Sequence, residues 1–213
     1  MKLLTYLTPS HKVFLPQFLD TLDISNLQIV MNVADQHCET GEFCQAGWED
    51  TMKDRLRFIL DYLYKGDNDE IMMFCDVDIQ FFDSPQKYAE KALAECDIAF
   101  QNDYYGHACA GFFYMRNTED VRDLFEEALD TYDQHAHDQE AINHLLKTGK
   151  YRYALLPPEF FTFGSFYNHW HGEKQFPIPD KIVMHHANWV QGIDKKIELL
   201  EVVRDLYNAK QCK

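Results

Sequence analysis

With 213 residues and a formal charge of -15, from 20 Lys plus Arg against 35 Asp plus Glu, the chain excludes several function classes at once. Even with all ten His protonated it keeps a charge of -5, whereas a general binder of nucleic acid or of an anionic membrane needs positive charge to displace counterions. A composition that is 46% apolar and 15% aromatic can bury a sizeable core, which excludes a disordered or fibrous chain, and the length suits one globular domain.

The opening residues Met1 to Pro9 are too short and too polar for a signal peptide, and no apolar run approaches membrane-spanning length, so a cytoplasmic protein without a membrane span is expected. Leu3 to Thr8 predicts a strand closed by Pro9-Ser10, followed by a loop and a helix with Pro16 near its start. Leu27 to Val33 predicts a second strand, and His37 to Gly47 a loop. Trp48, Met52, Leu56, Ile59, Leu60 and Leu63 recur at helical spacing, and that helix ends before Gly66.

Glu70 to Cys75 is a continuous apolar run with a polar end, the pattern of a strand covered on both faces in a parallel sheet. Ser84-Pro85 opens a helical stretch to about Ala94, and strands are predicted at Asp97 to Phe100 and at Gly111 to Met115. Thr118 caps a helix with the stripe Val121, Leu124, Phe125, Ala128 and Leu129. A further helix follows Asp138, a strand covers Ile182 to Met184, and a last helix runs from Asp194 to about Asn208. Strands alternating with helices indicate an α/β fold with a mainly parallel central sheet flanked by helices, whose ligands bind beyond the carboxyl ends of the strands. The six cysteines, Cys38, Cys44, Cys75, Cys96, Cys109 and Cys212, contain no Cys-x-x-Cys pair, so reduced and mostly buried thiols are expected.

Asp76 and Asp78 stand where the buried strand runs out. Residues i and i+2 of a strand face one side about 6.6 Å apart, so a small bend brings both carboxylates to one hard cation, as exposed groups of little weight in the core. A histidine from the pair His185-His186 completes a mixed N/O shell suited to Mn²⁺. Those two imidazoles follow a strand, so one faces the site and the other faces away.

Phe74-Cys75-Asp76-Val77-Asp78-Ile79-Gln80-Phe81-Phe82-Asp83-Ser84-Pro85 resembles the central block of the GT-A nucleotide-diphospho-sugar glycosyltransferases. Ala110-Gly111-Phe112-Phe113-Tyr114-Met115-Arg116-Asn117-Thr118 resembles the family's next strand, His137-Asp138-Gln139-Glu140-Ala141-Ile142-Asn143 its Asp-Gln helix start, and His186-Ala187-Asn188-Trp189 with Gly192 and Lys196 its carboxy-terminal metal and phosphate segment. The ordered set covers most of the chain between about Arg57 and Lys196, and its overall look is closest to the glycosyltransferases that large algal viruses use on their own capsid protein.

The resemblance implies a single Rossmann-like GT-A domain over residues 1 to 213, with a nucleotide-binding part to about residue 117 and an acceptor and metal-closing part after it. It implies transfer of a sugar from a UDP-sugar to an acceptor hydroxyl on a glycan or glycoprotein, with Mn²⁺ (or Mg²⁺) and with retention of configuration. Asp76, Asp78 and His186 would hold the metal, with Val77 between the carboxylates. Thr5, Tyr6, Leu7 and Thr8 would line the nucleotide cleft, and Ala110, Gly111, Asn188 and Gly192 would belong to the donor site. Lys196 would neutralise the leaving diphosphate. Asp138 and Gln139 would stand at the reacting carbon, Asp138 also reading as a helix N-cap.

Lys53 and Arg57 read either as a solvated basic row or as groups approaching the donor. The aromatic stretch Glu159 to His171 reads as acceptor side, with Gly164 permitting a flexible lid, or as core. Two rival functions remain: a metal-dependent phosphohydrolase using Asp76, Asp78, His137 and His186, and a non-catalytic sugar-nucleotide binding module. The chain is also compatible with a place in a longer multidomain protein.

Overall fold

The computed structural model describes residues 1–40 and 45–212. In chain order the elements are β1 (Lys2–Leu7), α1 (Leu15–Thr21), β2 (Gln28–Val33), α2 (Trp48–Lys65), β3 (Ile71–Cys75), β4 (Ile79–Phe81), α3 (Ala89–Ala92), β5 (Ile98–Asn102), β6 (Ala108–Arg116), α4 (Glu119–Asp130), α5 (Asp138–Leu146), β7 (Tyr153–Leu155), β8 (Phe160–Thr162), α6 (Phe163–Tyr167), β9 (Met184–His186) and α7 (Ile193–Gln211). Six strands form the central sheet in the order β2-β1-β3-β6-β5-β7, and β4-β9-β8 form a second, smaller one. No helix among the described residues is long and apolar enough to cross a membrane.

The alternation of β3 shows why this strand is apolar throughout. Met72 and Phe74 enter one core cluster with Leu56, Ile59 and Leu63 of α2 and Leu124 and Phe125 of α4. Met73 and Cys75 enter another with Phe18 of α1, Ala89 of α3, and Phe81, Phe160 and Met184 of the small sheet. Helices thus cover one face of the central sheet, and two helices with the small sheet cover the other. Thr118 caps α4 as expected, its Oγ1 accepting from the Val121 N–H.

Three of the five central pairings are parallel; β6 is antiparallel to both β3 and β5. The exception decides what borders the end of β3. An antiparallel neighbour brings its own early residues there, and Asp76 N–H donates to Gly111 O at 2.8 Å.

Three sequence expectations need correction. The strand read at Ile182 to Met184 lies two residues later, because Ile182 and Val183 pack as buried irregular chain while Met184–His186 pairs with both β4 and β8. The segment 159–171 contains β8 and α6, and its rings Phe160, Phe161, Phe163 and Trp170 belong to the core. Gly164 is not a hinge: a Cβ there would lie 2.0 Å from Trp189 Cδ1, so glycine is needed for the indole to approach. Of the loop read at His37 to Gly47, residues 41–44 lie outside the described residues, and Cys44 with them. The remaining cysteines are free thiols, all buried except Cys212.

Candidate active site

The end of β3, the turn into β4 and the edge strand β9 converge on one point. The register Ile79↔His186 puts His186 beside the two aspartates, with Nε2 3.4 Å from Asp78 Oδ1 and 4.0 Å from Asp76 Oδ2. One ligand atom from each of Asp76, Asp78 and His186 lies within 4.8 Å of the others. A Cβ on Gly111 would sit 2.5 Å from both Asp76 Oδ2 and His186 Cε1, so the missing side chain keeps the space between them open. This cradle and its mixed carboxylate and imidazole donors fit Mn²⁺ or Mg²⁺.

The two carboxylates are not solvated end groups. Asp78 is 4% exposed, with Lys196 Nζ 2.5 Å from its Oδ2. Burial opposes its charge, but Lys196 and His186 outweigh burial and hold the carboxyl well below the usual range. Asp76 goes the other way: burial dominates, Arg55 only partly offsets it, and the neighbouring Asp78 adds to the rise, to about 6. Burial also opposes charge on His186, yet Asp78 prevails and pushes the imidazole up to about 10.

Gln101 orients that ring. Its Nε2 donates to Phe160 O and Phe161 O at 3.2 and 3.1 Å, which turns Oε1 toward His186 Nδ1 at 3.0 Å. Nδ1–H therefore donates to Gln101, and Nε2 points to the carboxylates. Side-chain alternation sends His185 to the opposite face, beside the Phe161 ring, where burial brings it down to about 3 and leaves it neutral.

On α5 the N-cap is His137, whose Nδ1 accepts from the Glu140 N–H at 3.3 Å. Asp138, read as the cap, is instead the first helical residue. Its carboxylate is drawn into a buried pair with Arg55, whose Nε donates to Oδ2 at 3.0 Å. Arg55 Nη1 also donates to Asp76 Oδ1 at 3.2 Å, so one guanidinium ties the Asp-Gln helix to the aspartate pair.

Arg55 replaces the sequence candidates Lys53 and Arg57. An α-helix turns about 100° per residue, so residues two places away point elsewhere. Lys53 pairs with Asp133 and Arg57 with Asp54, and neither lines the main cleft; Arg57 borders a smaller one. The missed signal is an arginine placed on the apolar stripe between Met52 and Ile59. Arg55→Met should cost about 3–5 kcal/mol, because it leaves a buried carboxylate unpaired, whereas Lys53→Ala and Arg57→Ala should barely move the urea midpoint. Equal midpoints for all three variants would contradict the buried pair.

These residues open onto a cleft of about 970 Å³, at the upper end of ligand-pocket sizes. Tyr6, Leu7, Thr8, Val77, Gly111, Gln139, Asn188, Gly192 and Lys196 line it. Thr5 does not: it is fully buried and lies away from the cleft. Ala110 packs in the core and meets the site only through its N–H, which donates to Gln139 Oε1 at 3.0 Å. Gln139 Nε2 in turn donates to Asp103 Oδ2 at 2.9 Å. Asp103 is a second residue the sequence did not single out, and no motif marks it.

The fold and the carboxylate–imidazole cluster at the end of its central strand define a nucleotide-sugar transferase architecture. A family profile described as nucleotide-diphospho-sugar transferase matches residues 17–200, and the chain belongs to that family.

Solved structures agree in fold. A glycosyltransferase involved in the glycosylation of the major capsid of PBCV-1 superposes with a TM-score of 0.58 at 10% identity, over 93% of this chain and 98% of that one. The galactosyltransferase LgtC, in complex with donor and acceptor sugar analogues, gives 0.55 at 13% over 87% and 86%. The glycosyltransferase GlyE of Streptococcus pneumoniae TIGR4 gives 0.56 at 12%, and the chain spans about half of its length, 54%. The fold is that of the GT-A glycosyltransferases. A search of curated proteins found no match.

Proposed function

We propose that the chain transfers a sugar from a UDP-sugar to a hydroxyl of a glycan or glycoprotein, dependent on Mn²⁺ or Mg²⁺ and with retention of configuration. The observation that carries this reading is the convergence of Asp76, Asp78 and His186 around the Gly111 cradle in the large cleft. A divalent ion bound there supplies local positive charge for the diphosphate. The chain's own groups do the rest. Lys196 presents a second cation on the cleft side of Asp78, suited to a leaving diphosphate in a chain of net charge -15.

Arg55 holds Asp138 ionised and in place. Gln139, fixed at both ends of its amide, presents the first turn of α5 to the reacting carbon. Residues to about 117 serve the nucleotide, and those beyond serve the acceptor and close the metal site. Free thiols suit a reducing compartment such as the cytoplasm.

A UDP-sugar should bind at least about tenfold more tightly with Mn²⁺ than with EDTA, since two phosphate charges approach an acidic protein. Calorimetry under both conditions is the check, and equal affinities would remove the metal from the reading. Phosphate release from simple esters would favour the phosphohydrolase instead.

A further inference from the structure

Resting on the transferase reading, we infer that Tyr104, Tyr105 and Trp189 form the platform on which the acceptor docks, and that the acceptor presents a pyranoside ring with a contiguous C–H face. Tyr105 is 82% exposed, the most exposed of the large hydrophobic side chains described. Its backbone is left-handed at φ +59°, and so is that of Trp189 at φ +61°. Bulky residues rarely adopt this conformation, and such strain persists where the surroundings impose it and function uses it. Neither ring is held there by the needs of the core.

Trp189 is held from several sides. Its Nε1–H donates to Asp103 Oδ1 at 2.5 Å. The indole lies on Gly164, where no side chain would fit. The rings of Tyr104 and His169 stand 5.3 and 5.0 Å away. Tyr105 extends this surface through Tyr104, centroid to centroid 3.9 Å. All four rings border the cleft.

Asp103 is the link to chemistry, because the same carboxylate that fixes Trp189 accepts from Gln139 Nε2. A ligand on the platform therefore sits against the residue assigned to the reacting carbon. Aromatic faces are electron-rich and apolar, and they attract polarised C–H groups as they attract ring edges. An uncharged sugar ring offers such groups without adding negative charge to an acidic cleft.

The test uses the whole chain and saturation-transfer NMR, with methyl β-galactopyranoside, methyl β-glucopyranoside and the open-chain polyol sorbitol as probes; UDP with Mn²⁺ is titrated in parallel. The cyclic glycosides should bind, with saturation strongest on the protons of one face, and sorbitol should not. Tyr105→Asn, which removes the ring but tolerates the left-handed backbone, should weaken the better glycoside about tenfold. Tyr105→Phe should retain its binding, and UDP affinity should hold in both variants. No glycoside binding, equal binding of sorbitol, or an unmoved Tyr105→Asn titration would overturn the platform. Weakened UDP binding with glycoside binding intact would also overturn it and assign the ring to the donor base. Failure of the wild-type chain to bind any UDP-sugar would count against the transferase reading while the glycoside titrations still decide the platform.

Discussion

Asp78→Asn should lower kcat/KM for sugar transfer by at least about a thousandfold, because it removes a metal ligand and the partner of two cations at once. The same substitution should destabilise the fold. His186 is 4% exposed at its side chain and Asp78 6%, so neutralising the carboxylate strands a buried imidazolium, at about 3 kcal/mol. That amounts to a melting point lower by on the order of 10 °C for a chain of this size. A circular-dichroism melt beside the transfer assay separates the two effects. Lys196→Met added to Asp78→Asn should recover part of the lost stability, since the ammonium no longer lacks a partner, and none of the activity. Full activity in Asp78→Asn would sink the site assignment.

Metal affinity should rise steeply with pH, and the sign follows from His186. An imidazole must be neutral to ligate a metal, yet Asp78 pushes this one up to about 10, so at neutral pH each binding event expels its proton. The association constant for Mn²⁺ or Mg²⁺ should therefore grow close to tenfold per pH unit above about pH 7. Below about pH 6 protonated Asp76 adds a second expelled proton and a steeper fall.

Calorimetry in two buffers of different ionisation enthalpy counts the protons, with about one per ion expected at pH 7.5. In the absence of metal the dependence reverses. The raised imidazole contributes stability that is complete below its unfolded value near ~6.5 and is lost as pH rises through about 10. His186→Ala should abolish both trends, and His185→Ala should leave the proton count unchanged. A pH-independent affinity for Mn²⁺ would refute the ligand assignment.

The parts legible in the sequence are those written in short-range pattern. The apolar run of β3, the stripes of α2 and α4, the Thr118 cap and the alternation that separates His185 from His186 all depend on neighbours within a few residues. Long-range partners were not legible. Arg55 looks like one more basic residue beside Lys53 and Arg57 until α5, 83 residues later in the chain, supplies Asp138. Asp103 and Gln101 acquire their roles only when β6, β8 and β9 bring Gln139, Trp189 and His186 to them. The short strands β7, β8 and β9 were missed or displaced for the same reason: three residues carry too little periodicity to mark a strand before its partner is known.

The adjacency of His185 and His186 has a consequence for how this protein can vary. Both side chains are buried in one strand, yet one is an inert neutral ring and the other a cation bound to carboxylates. The only difference between them is which way the pleat points. A single-residue insertion or deletion just before β9 would conserve the His-His pair and all its neighbours in an alignment while exchanging the two roles, sending position 186's chemistry into the apolar layer against Phe161. Length changes are tolerable in the segment that follows, between Ala187 and the start of α7, only as far as Lys196 still reaches Asp78. For homologues of this chain, strand parity at β9 is therefore a better guide to a working metal centre than the presence of a histidine in the column.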